Sequence, residues 1–130
     1  MLTEEVKKLL NDCIWDLATC SENQPNVVPV GFKKVTDDGK LTVGDVFLET
    51  TLKNIRANGR AAVSVYDAKT LNGYQIKGSA SYVTAGPIVE AYKAAAEELF
   101  KGAATAKGAL SITPEKGIVT PPGSDHKKEL

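Results

Sequence analysis

Apolar residues recur along the chain at two different spacings, and each spacing predicts one type of element. Near the N-terminus the spacing is three or four residues, which is typical of one face of a helix. Thr3 precedes this run and suits an N-cap, and Glu4 and Glu5 follow in the first turn, where carboxylates favour the helix dipole. The pattern predicts a short amphipathic helix. Its apolar positions are Leu2, Val6, Leu9, Leu10 and Cys13.

A hairpin is predicted directly after this helix. Ile14 to Cys20 has the pattern of a strand, Ser21 to Asn26 contains turn-forming residues, and Val27 to Val35 has the pattern of the returning strand. Pro29 lies inside the returning strand. Because proline has no N–H to donate to a ladder, we expect this strand at a sheet edge or at a bulge.

Six strands are predicted in all, with a short helix in the middle of the chain and a longer one late. The short helix spans Thr50 to Gly59, where the threonine hydroxyls suit an N-cap and Asn58-Gly59 suits the end. The late helix begins at Pro87 and stops at Gly102, which is about four turns. The four remaining strands are Leu41 to Phe47, Ala61 to Tyr66, Tyr74 to Val83 and Gly108 to Thr113.

This order of elements predicts a mainly β chain with helices, of the α+β class. Tight turns join most of the strands, which favours a six-stranded antiparallel barrel, closed or partly closed, over a parallel sheet. The 130 residues supply one hydrophobic core, so residues 1–130 are expected to form a single domain. Pro114, Pro121 and Pro122 predict an irregular tail from about residue 114.

Charge and composition narrow the classes of function. Sixteen basic residues balance sixteen acidic ones, which argues against a protein that binds a nucleic-acid backbone through a broad cationic surface. No stretch approaches the roughly 20 apolar residues of a membrane span, and no basic cluster with an apolar core opens the chain. We expect a cytoplasmic protein that binds neither nucleic acid nor membrane.

Few side chains suit acid–base, nucleophilic or metal chemistry. His126 is the sole histidine and lies in a polar segment, which removes Ser-His-Asp and Cys-His catalysis and most zinc sites. Cys13 and Cys20 have no further cysteine or histidine nearby, so two reduced thiols are favoured over a disulfide or a metal site. The carboxylates are scattered, and no protein residue is assigned a catalytic role.

Two segments are candidates for binding a ligand. The start of the short helix offers unpaired backbone N–H groups, the hydroxyls of Thr50 and Thr51, and Lys53 one turn later, which together suit a phosphate. An ordinary threonine cap is the alternative there. In Val27 to Gly31, proline and glycine expose backbone groups that a flat polar heterocycle could bond. An edge strand that uses Pro29 to block aggregation is the alternative.

Taken in order, several segments resemble one known family. They are Pro25 to Val30, Asp37 to Gly39, Thr50 to Ile55, Ile76 to Ala80 and Thr84 to Pro87, within roughly Leu9 to Ile112. The chain resembles the FMN-binding split-barrel proteins related to pyridoxamine 5'-phosphate oxidase, and among them the small FMN-binding proteins and flavoredoxin-like reductases.

The resemblance implies a homodimer with FMN in a groove at the dimer interface. It places one strand beside the flavin, a second segment under the polar edge of the ring, and a helix start at the phosphate. The strand residues are Val28, Pro29 and Val30. The residues under the ring are Asp45, Val46 and Phe47. The residues at the phosphate are Thr50 and Thr51, with Lys53 and Asn54 as further contacts.

The sequence departs from the family at two places. Some relatives carry a basic side chain where Thr50 stands, so the phosphate depends more on backbone amides, hydroxyls and Lys53. The C-terminal segment with which true pyridoxamine phosphate oxidases hold substrate is not expected here, so vitamin B6 synthesis is not predicted. The resemblance implies an electron-transfer protein or a flavin reductase that takes electrons from a reduced nicotinamide or a redox protein.

Other functions stay open at this point. Related split barrels also bind deazaflavin or haem, although haem usually needs an axial ligand and His126 is in the tail. A barrel without cofactor that acts as an interaction module is the alternative from another class. Thr51→Asp distinguishes these functions, because a carboxylate at the phosphate position abolishes FMN binding only in the first.

Overall fold

Seven antiparallel strands and three helices form the fold in the computed structural model, which describes residues 2–130. The helices are α1 (Glu4–Asp12), α2 (Glu49–Asn58) and α3 (Pro87–Phe100). The strands are β1 (Trp15–Ser21), β2 (Gln24–Val30), β3 (Lys33–Val35), β4 (Leu41–Asp45), β5 (Arg60–Asp67), β6 (Asn72–Val83) and β7 (Gly108–Val119).

The strands form one curled sheet in the order β2-β1-β5-β6-β7-β4-β3. Every pair is antiparallel, so the sheet is a half-barrel with two free edges, β2 and β3. This confirms the mainly β, antiparallel split-barrel class. Within residues 2–130, no helix has both the length and the apolar character that crossing a membrane requires.

The seventh strand arises because the predicted strand Val27 to Val35 is two strands. β2 ends at Val30 and pairs with β1, whereas β3 begins at Lys33 and pairs with β4. Gly31 and Phe32 connect them. Apolar alternation continues across this link and carries no information about the change of partner, which is why the sequence predicted one strand.

The last strand is also longer than predicted. β7 runs through Pro114 to Val119 instead of ending at Thr113. Its pairing with β6 shifts register between Lys77 and Gly78. This bulge accommodates Pro114, and the pairing of the two strands continues on both sides of it. The residues after β7 fold back on it, with the Leu130 N–H donating to the Gly117 carbonyl at 2.8 Å. The tail is therefore largely attached to the sheet.

The helix ends show which local signals were sufficient. The Thr3 hydroxyl accepts from the Val6 N–H at 3.3 Å, as the N-cap prediction requires. Gly59 adopts the left-handed conformation that ends α2, with φ of 66°. The start of α2 differs, because the helix begins at Glu49 and no side chain caps it. Thr50 and Thr51 therefore lie within its first turn and are not N-caps.

The interior consists of two apolar clusters. The larger one fills the half-barrel, and its fully buried members include Trp15, Leu17 and Ile76. The second lies between α3 and the strands β4 and β7. At its centre the ring of Tyr92 covers Gly44, where a Cβ would lie only 2.7 Å from that ring. The second cluster contains Val46, Val89, Tyr92, Ala96, Ala106 and Ala109.

Lys33 attaches α1 to the sheet edge, so we expect Lys33→Met to destabilise the fold. Its Nζ donates to the carbonyls of Leu10 and Asn11, both at 2.8 Å, and lies 5.5 Å from the centre of the Trp15 ring. Partial burial lowers the pKa of Lys33. Charge-assisted bonds of this kind contribute about 1–3 kcal/mol, which is the expected loss in a urea unfolding experiment.

Lys34→Met is the matched control, because Lys34 is exposed in the same strand. Its effect on the free energy of unfolding should stay within about 0.5 kcal/mol. Equal losses for the two variants would show that Lys33 does not hold α1.

Candidate functional site

A groove lies where the half-barrel is open, between the end of β2 and the link from β4 to α2. Its volume is about 280 Å³. The backbone keeps the two walls together, because the Gly44 N–H donates to the Phe32 carbonyl at 2.9 Å. The groove is lined by Val28, Pro29, Val30, Gly31, Phe32, Gly44, Val46, Phe47 and Leu48.

The first wall is the free edge of β2. In an antiparallel pair, alternate residues direct their backbone groups toward the partner strand. Pro25 and Pro29 have no N–H and still pair with β1, so the ladder keeps its bonds only when these residues face outward. The free edge then presents the carbonyls of Pro25, Val27 and Pro29 but the N–H of Val27 alone. It is an edge rich in acceptors.

The second wall is the segment between β4 and α2. Val46 and Leu48 are buried, with 7% and 8% of their surface exposed, and they fix the wall to the core. Phe47 between them is 73% exposed. Among the predicted residues of this segment, Phe47 is therefore the one whose side chain is open to a ligand.

The side chain of Asp45 is engaged by hydrogen bonds within the fold. Its side chain is buried, and its two carboxylate oxygens accept from the Leu48 N–H at 3.0 Å and from the Tyr82 hydroxyl at 2.5 Å. Its own carbonyl accepts from the Lys107 N–H at 2.8 Å. We therefore assign Asp45 to positioning the groove wall ahead of α2, where its charge also favours the helix dipole.

Tyr82 completes this arrangement. Burial, with the hydrogen bond to Asp45 as a second cause, raises the pKa of Tyr82 to about 12. The Arg56 guanidinium lies 5.7 Å from the centre of its ring. The phenol therefore stays protonated and donates to the Asp45 carboxylate over the whole physiological pH range.

The four predicted phosphate residues on α2 divide into two pairs. Thr50 and Lys53 are exposed, three residues apart on the outer face. Thr51 and Asn54 are buried, with 1% and 3% of their surface exposed, and face the β1–β2 hairpin. Only the exposed pair can contact a ligand with its side chains.

The buried pair holds α2 in place. The Thr51 hydroxyl accepts from the Asn26 amide at 3.2 Å. The Asn54 amide donates to the Thr19 hydroxyl at 3.0 Å and accepts from the Ser21 hydroxyl at 2.5 Å. Because Thr51→Asp would bury a carboxylate in this network, it is a poor test of ligand binding. The exposed Thr50 is the better position.

Polar contacts to a ligand must come from exposed groups. Every buried side-chain nitrogen and oxygen in the described part of the chain has a hydrogen-bond partner. Next to the groove, exposed polar groups include the acceptor edge of β2, the side chains of Thr50 and Lys53, and the first turn of α2, whose backbone N–H groups are not capped by a side chain. This turn directly follows Leu48, so the groove leads to the positive end of the helix dipole.

The sole histidine and the two cysteines do not line the groove. Across residues 2–130 there is no group of three or more His, Cys, Asp or Glu side chains that could hold a metal ion. Cys13 and Cys20 are free thiols. His126 lies beside the Thr120 carbonyl, with 3.1 Å between Nδ1 and the oxygen, in the segment after β7.

Sequence reasoning missed several lining residues of the groove. Phe32 and Gly44 lie on its walls, and Leu48 closes it near α2, whereas Gly31 belongs to the predicted segment Val27 to Gly31. The available signal for Phe32 was Gly31, because a glycine two residues after an edge proline marks a place where a strand can leave its partner. No local pattern marked Gly44. It must lack a side chain because the ring of Tyr92, on α3, packs directly against it.

The antiparallel half-barrel with its open groove defines the class of split-barrel proteins, and comparison with known proteins supports this class. The family model of pyridoxamine 5'-phosphate oxidase matches residues 2–120. The chain belongs to this family, which at the family level is one of flavin-binding oxidoreductases. The resemblance stated from the sequence is confirmed.

One curated relative is an uncharacterized protein of Methanocaldococcus jannaschii, 38% identical over 103 residues. The match covers 77% of this chain and 66% of the relative, so the chain spans slightly less than two thirds of the relative's length. This relative supports common ancestry and carries no assigned activity.

Solved structures show the same fold. HupZ of Group A Streptococcus has a TM-score of 0.81 at 28% identity, with 96% of this chain and 98% of that chain covered. An FMN-binding protein from Syntrophomonas wolfei has a TM-score of 0.79 at 16% identity, with 94% and 88% covered. An F420 reductase has a TM-score of 0.65 at 19% identity, with 85% of this chain and 94% of that chain covered.

Proposed function

We propose that this protein is an FMN-binding flavoprotein that transfers electrons or reduces a substrate with electrons from a reduced nicotinamide or a redox protein. The observation that carries the proposal is the continuity of the groove with the uncapped start of α2. A ligand that carries both a planar ring and a phosphate needs an apolar groove that adjoins an anion-binding helix start. Membership of the family supports the same ligand.

The groove suits the flavin ring. Its side chains are mostly apolar, and the β2 edge supplies carbonyl acceptors for the imide N–H of the ring. Exposed backbone acceptors beside an apolar wall fix the orientation of a planar heterocycle. In this proposal Val28, Pro29 and Val30 lie along the ring, and Phe47 covers part of it.

The first turn of α2 suits the phosphate. Its backbone N–H groups and helix dipole favour an anion, and the exposed Thr50 hydroxyl and Lys53 ammonium add a hydrogen bond and a charge. Thr51 and Asn54 support this turn from behind through the β1–β2 hairpin.

The protein's contribution to the chemistry is position and environment. Bound FMN supplies hydride and single-electron transfer itself. The chain orients the ring between two walls, and Asp45 has both oxygens engaged away from the groove. A separate acid–base pair is not required.

We propose that the working form is a homodimer with the flavin at the interface. Ligand sites usually enclose about 300–1,000 Å³, whereas the groove of one chain measures about 280 Å³ and is open. Large apolar side chains near it are exposed, including Phe47 at 73% and Val27 at 64%. A second chain over the groove would enclose the ligand and cover these side chains.

A paired titration with FMN and riboflavin tests the proposal. The two ligands share the ring and differ in the phosphate, so FMN should bind at least about 10-fold more tightly, which corresponds to about 1.4 kcal/mol from the α2 site. Flavin fluorescence quenching measures both affinities, and light scattering with bound FMN should give the mass of two chains. Equal affinities would remove α2 from the site, and a monomer would contradict the shared groove.

A deazaflavin is the second ligand to include, because an F420 reductase shares the fold. Both ligands carry a tricyclic ring, and a competition titration separates them. Displacement of bound FMN by a small excess of deazaflavin would favour the second ligand, and failure to displace it would favour FMN.

Glu49→Gln is expected to tighten FMN binding. Glu49 is exposed in the first turn of α2, where its carboxylate repels a phosphate bound at the same turn. Removing the charge should lower the Kd about 2–5-fold in dilute buffer, and the gain should shrink in strong salt because of screening. Glu97→Gln on the exposed side of α3 is the control and should leave the Kd unchanged.

A further inference from the structure

Three phenylalanines from separate parts of the chain meet beside the groove. Phe32 comes from the link between β2 and β3, Phe47 from the link between β4 and α2, and Phe100 from the last residue of α3. The ring centres of Phe32 and Phe100 are 6.0 Å apart with an interplanar angle of 88°. Those of Phe47 and Phe100 are also 6.0 Å apart, with an angle of 84°.

Phe100 is the centre of this chain of rings, although it does not line the groove. Phe32 and Phe47 are lining residues, and Phe100 contacts both in the edge-to-face geometry that aromatic pairs prefer. Phe32 and Phe100 pack on the second apolar cluster, whereas Phe47 is 73% exposed. Phe47 is therefore held in place by Phe100, while most of its own surface stays exposed.

The helix that carries Phe100 has a fixed position. Val89 and Ala96 on α3 are fully buried, and the Tyr92 hydroxyl donates to the Thr42 carbonyl at 3.1 Å. The helix ends at Phe100. Lys101 follows in the left-handed conformation, and its N–H donates to the Glu97 carbonyl at 2.8 Å. α3 therefore presents the Phe100 ring in a defined place.

We propose that Phe100 is a positioning residue of the flavin site, which holds Phe47 against the flavin ring and thereby connects α3 to the cofactor. The inference rests on the proposed function. A side chain that is fixed before binding loses less freedom when the ligand arrives, so a braced Phe47 binds the ring more tightly than an unbraced one.

A double-mutant cycle on Phe47 and Phe100 tests this inference. Phe100→Ala should raise the Kd for FMN about 5–10-fold and weaken the visible circular dichroism of bound FMN, because the ring loses a fixed neighbour. Phe47→Ala should have the larger effect. Since Phe100 acts through Phe47, the double variant should bind no more weakly than Phe47→Ala alone.

Two further variants keep the test interpretable. Leu99→Ala is the matched control, because Leu99 is the preceding residue and is 64% exposed. It should change neither the Kd nor the dichroism. Phe100→Leu keeps an apolar side chain against the second cluster and removes the ring, so a folded Phe100→Leu protein should still show the raised Kd.

The outcomes separate this inference from the function on which it rests. Wild-type protein that fails to bind FMN would overturn both. Wild-type protein that binds FMN, with Phe100 variants of unchanged Kd and dichroism, would overturn the positioning role alone. Additive effects in the cycle would also overturn it. A Phe100 variant that loses the dimer but keeps the flavin spectrum would overturn it too, because Phe47 would then contact the second chain instead of the flavin.

Discussion

Thr50→Asp is expected to weaken FMN binding about 100-fold, or about 2.7 kcal/mol. The side chain of Thr50 is exposed in the first turn of α2, so the substitution places a carboxylate beside the proposed phosphate without burying a charge. Two unit charges about 5 Å apart repel by about 3 kcal/mol at an effective dielectric constant of about 20. Lys53, one turn along, offsets part of this repulsion. Fluorescence titration measures the change in Kd.

Thr50→Asn is the matched control for charge. Asparagine has nearly the shape of aspartate and no charge, so its Kd should stay within about 5-fold of the wild-type value, as for the loss of one hydrogen bond. The unfolding midpoints of both variants should equal that of the wild type. Equal Kd values for the Asp and Asn variants would show that no phosphate binds at this turn.

Asn54→Ala should lower the free energy of unfolding by about 2–4 kcal/mol, because it empties a buried site and breaks two hydrogen bonds. Asn54 is 3% exposed and connects α2 to both Thr19 and Ser21 of β1. The Thr19 hydroxyl, itself 5% exposed, would lose its donor. Urea unfolding of the protein without FMN gives the value directly.

Lys53→Ala is the comparison for this loss. Lys53 is the neighbouring residue on α2 but is exposed, so the same truncation should change the free energy of unfolding by less than about 0.5 kcal/mol. A loss of that small size for Asn54→Ala would show that the buried network does not hold α2 on the hairpin.

Local signals in the sequence were sufficient for most of the elements. Thr3 capped α1, Gly59 ended α2, and Pro87 opened α3 as predicted, because each depends on residues within one or two turns. The family resemblance also singled out Val28 to Val30, and these residues line the groove. These features depend on short stretches of chain and on their order.

Features that depend on contacts between distant residues were not predictable. The change of partner after Gly31 depends on which strand completes the sheet, and the bulge that accommodates Pro114 depends on its pairing with β6. The burial of Thr51 and Asn54 depends on where the hairpin packs against α2. Phe100 is more than fifty residues from Phe47 in the sequence, so no pattern could join them.

The open edge of the half-barrel explains how one fold could supply both parts of the proposed site. Pro25 and Pro29 prevent another strand from completing β2, since they leave a single N–H on its outer edge. The same edge remains available to a planar ligand with donor groups. Asp45 and Tyr82 then set where α2 begins, so that its positive end follows the groove wall.

The visible absorption spectrum of the purified protein, taken after addition of FMN and removal of the excess by desalting, tests the central claim most directly. The protein should retain a two-band flavin spectrum at close to one FMN per chain. A colourless protein after desalting would contradict the proposal that this groove binds FMN.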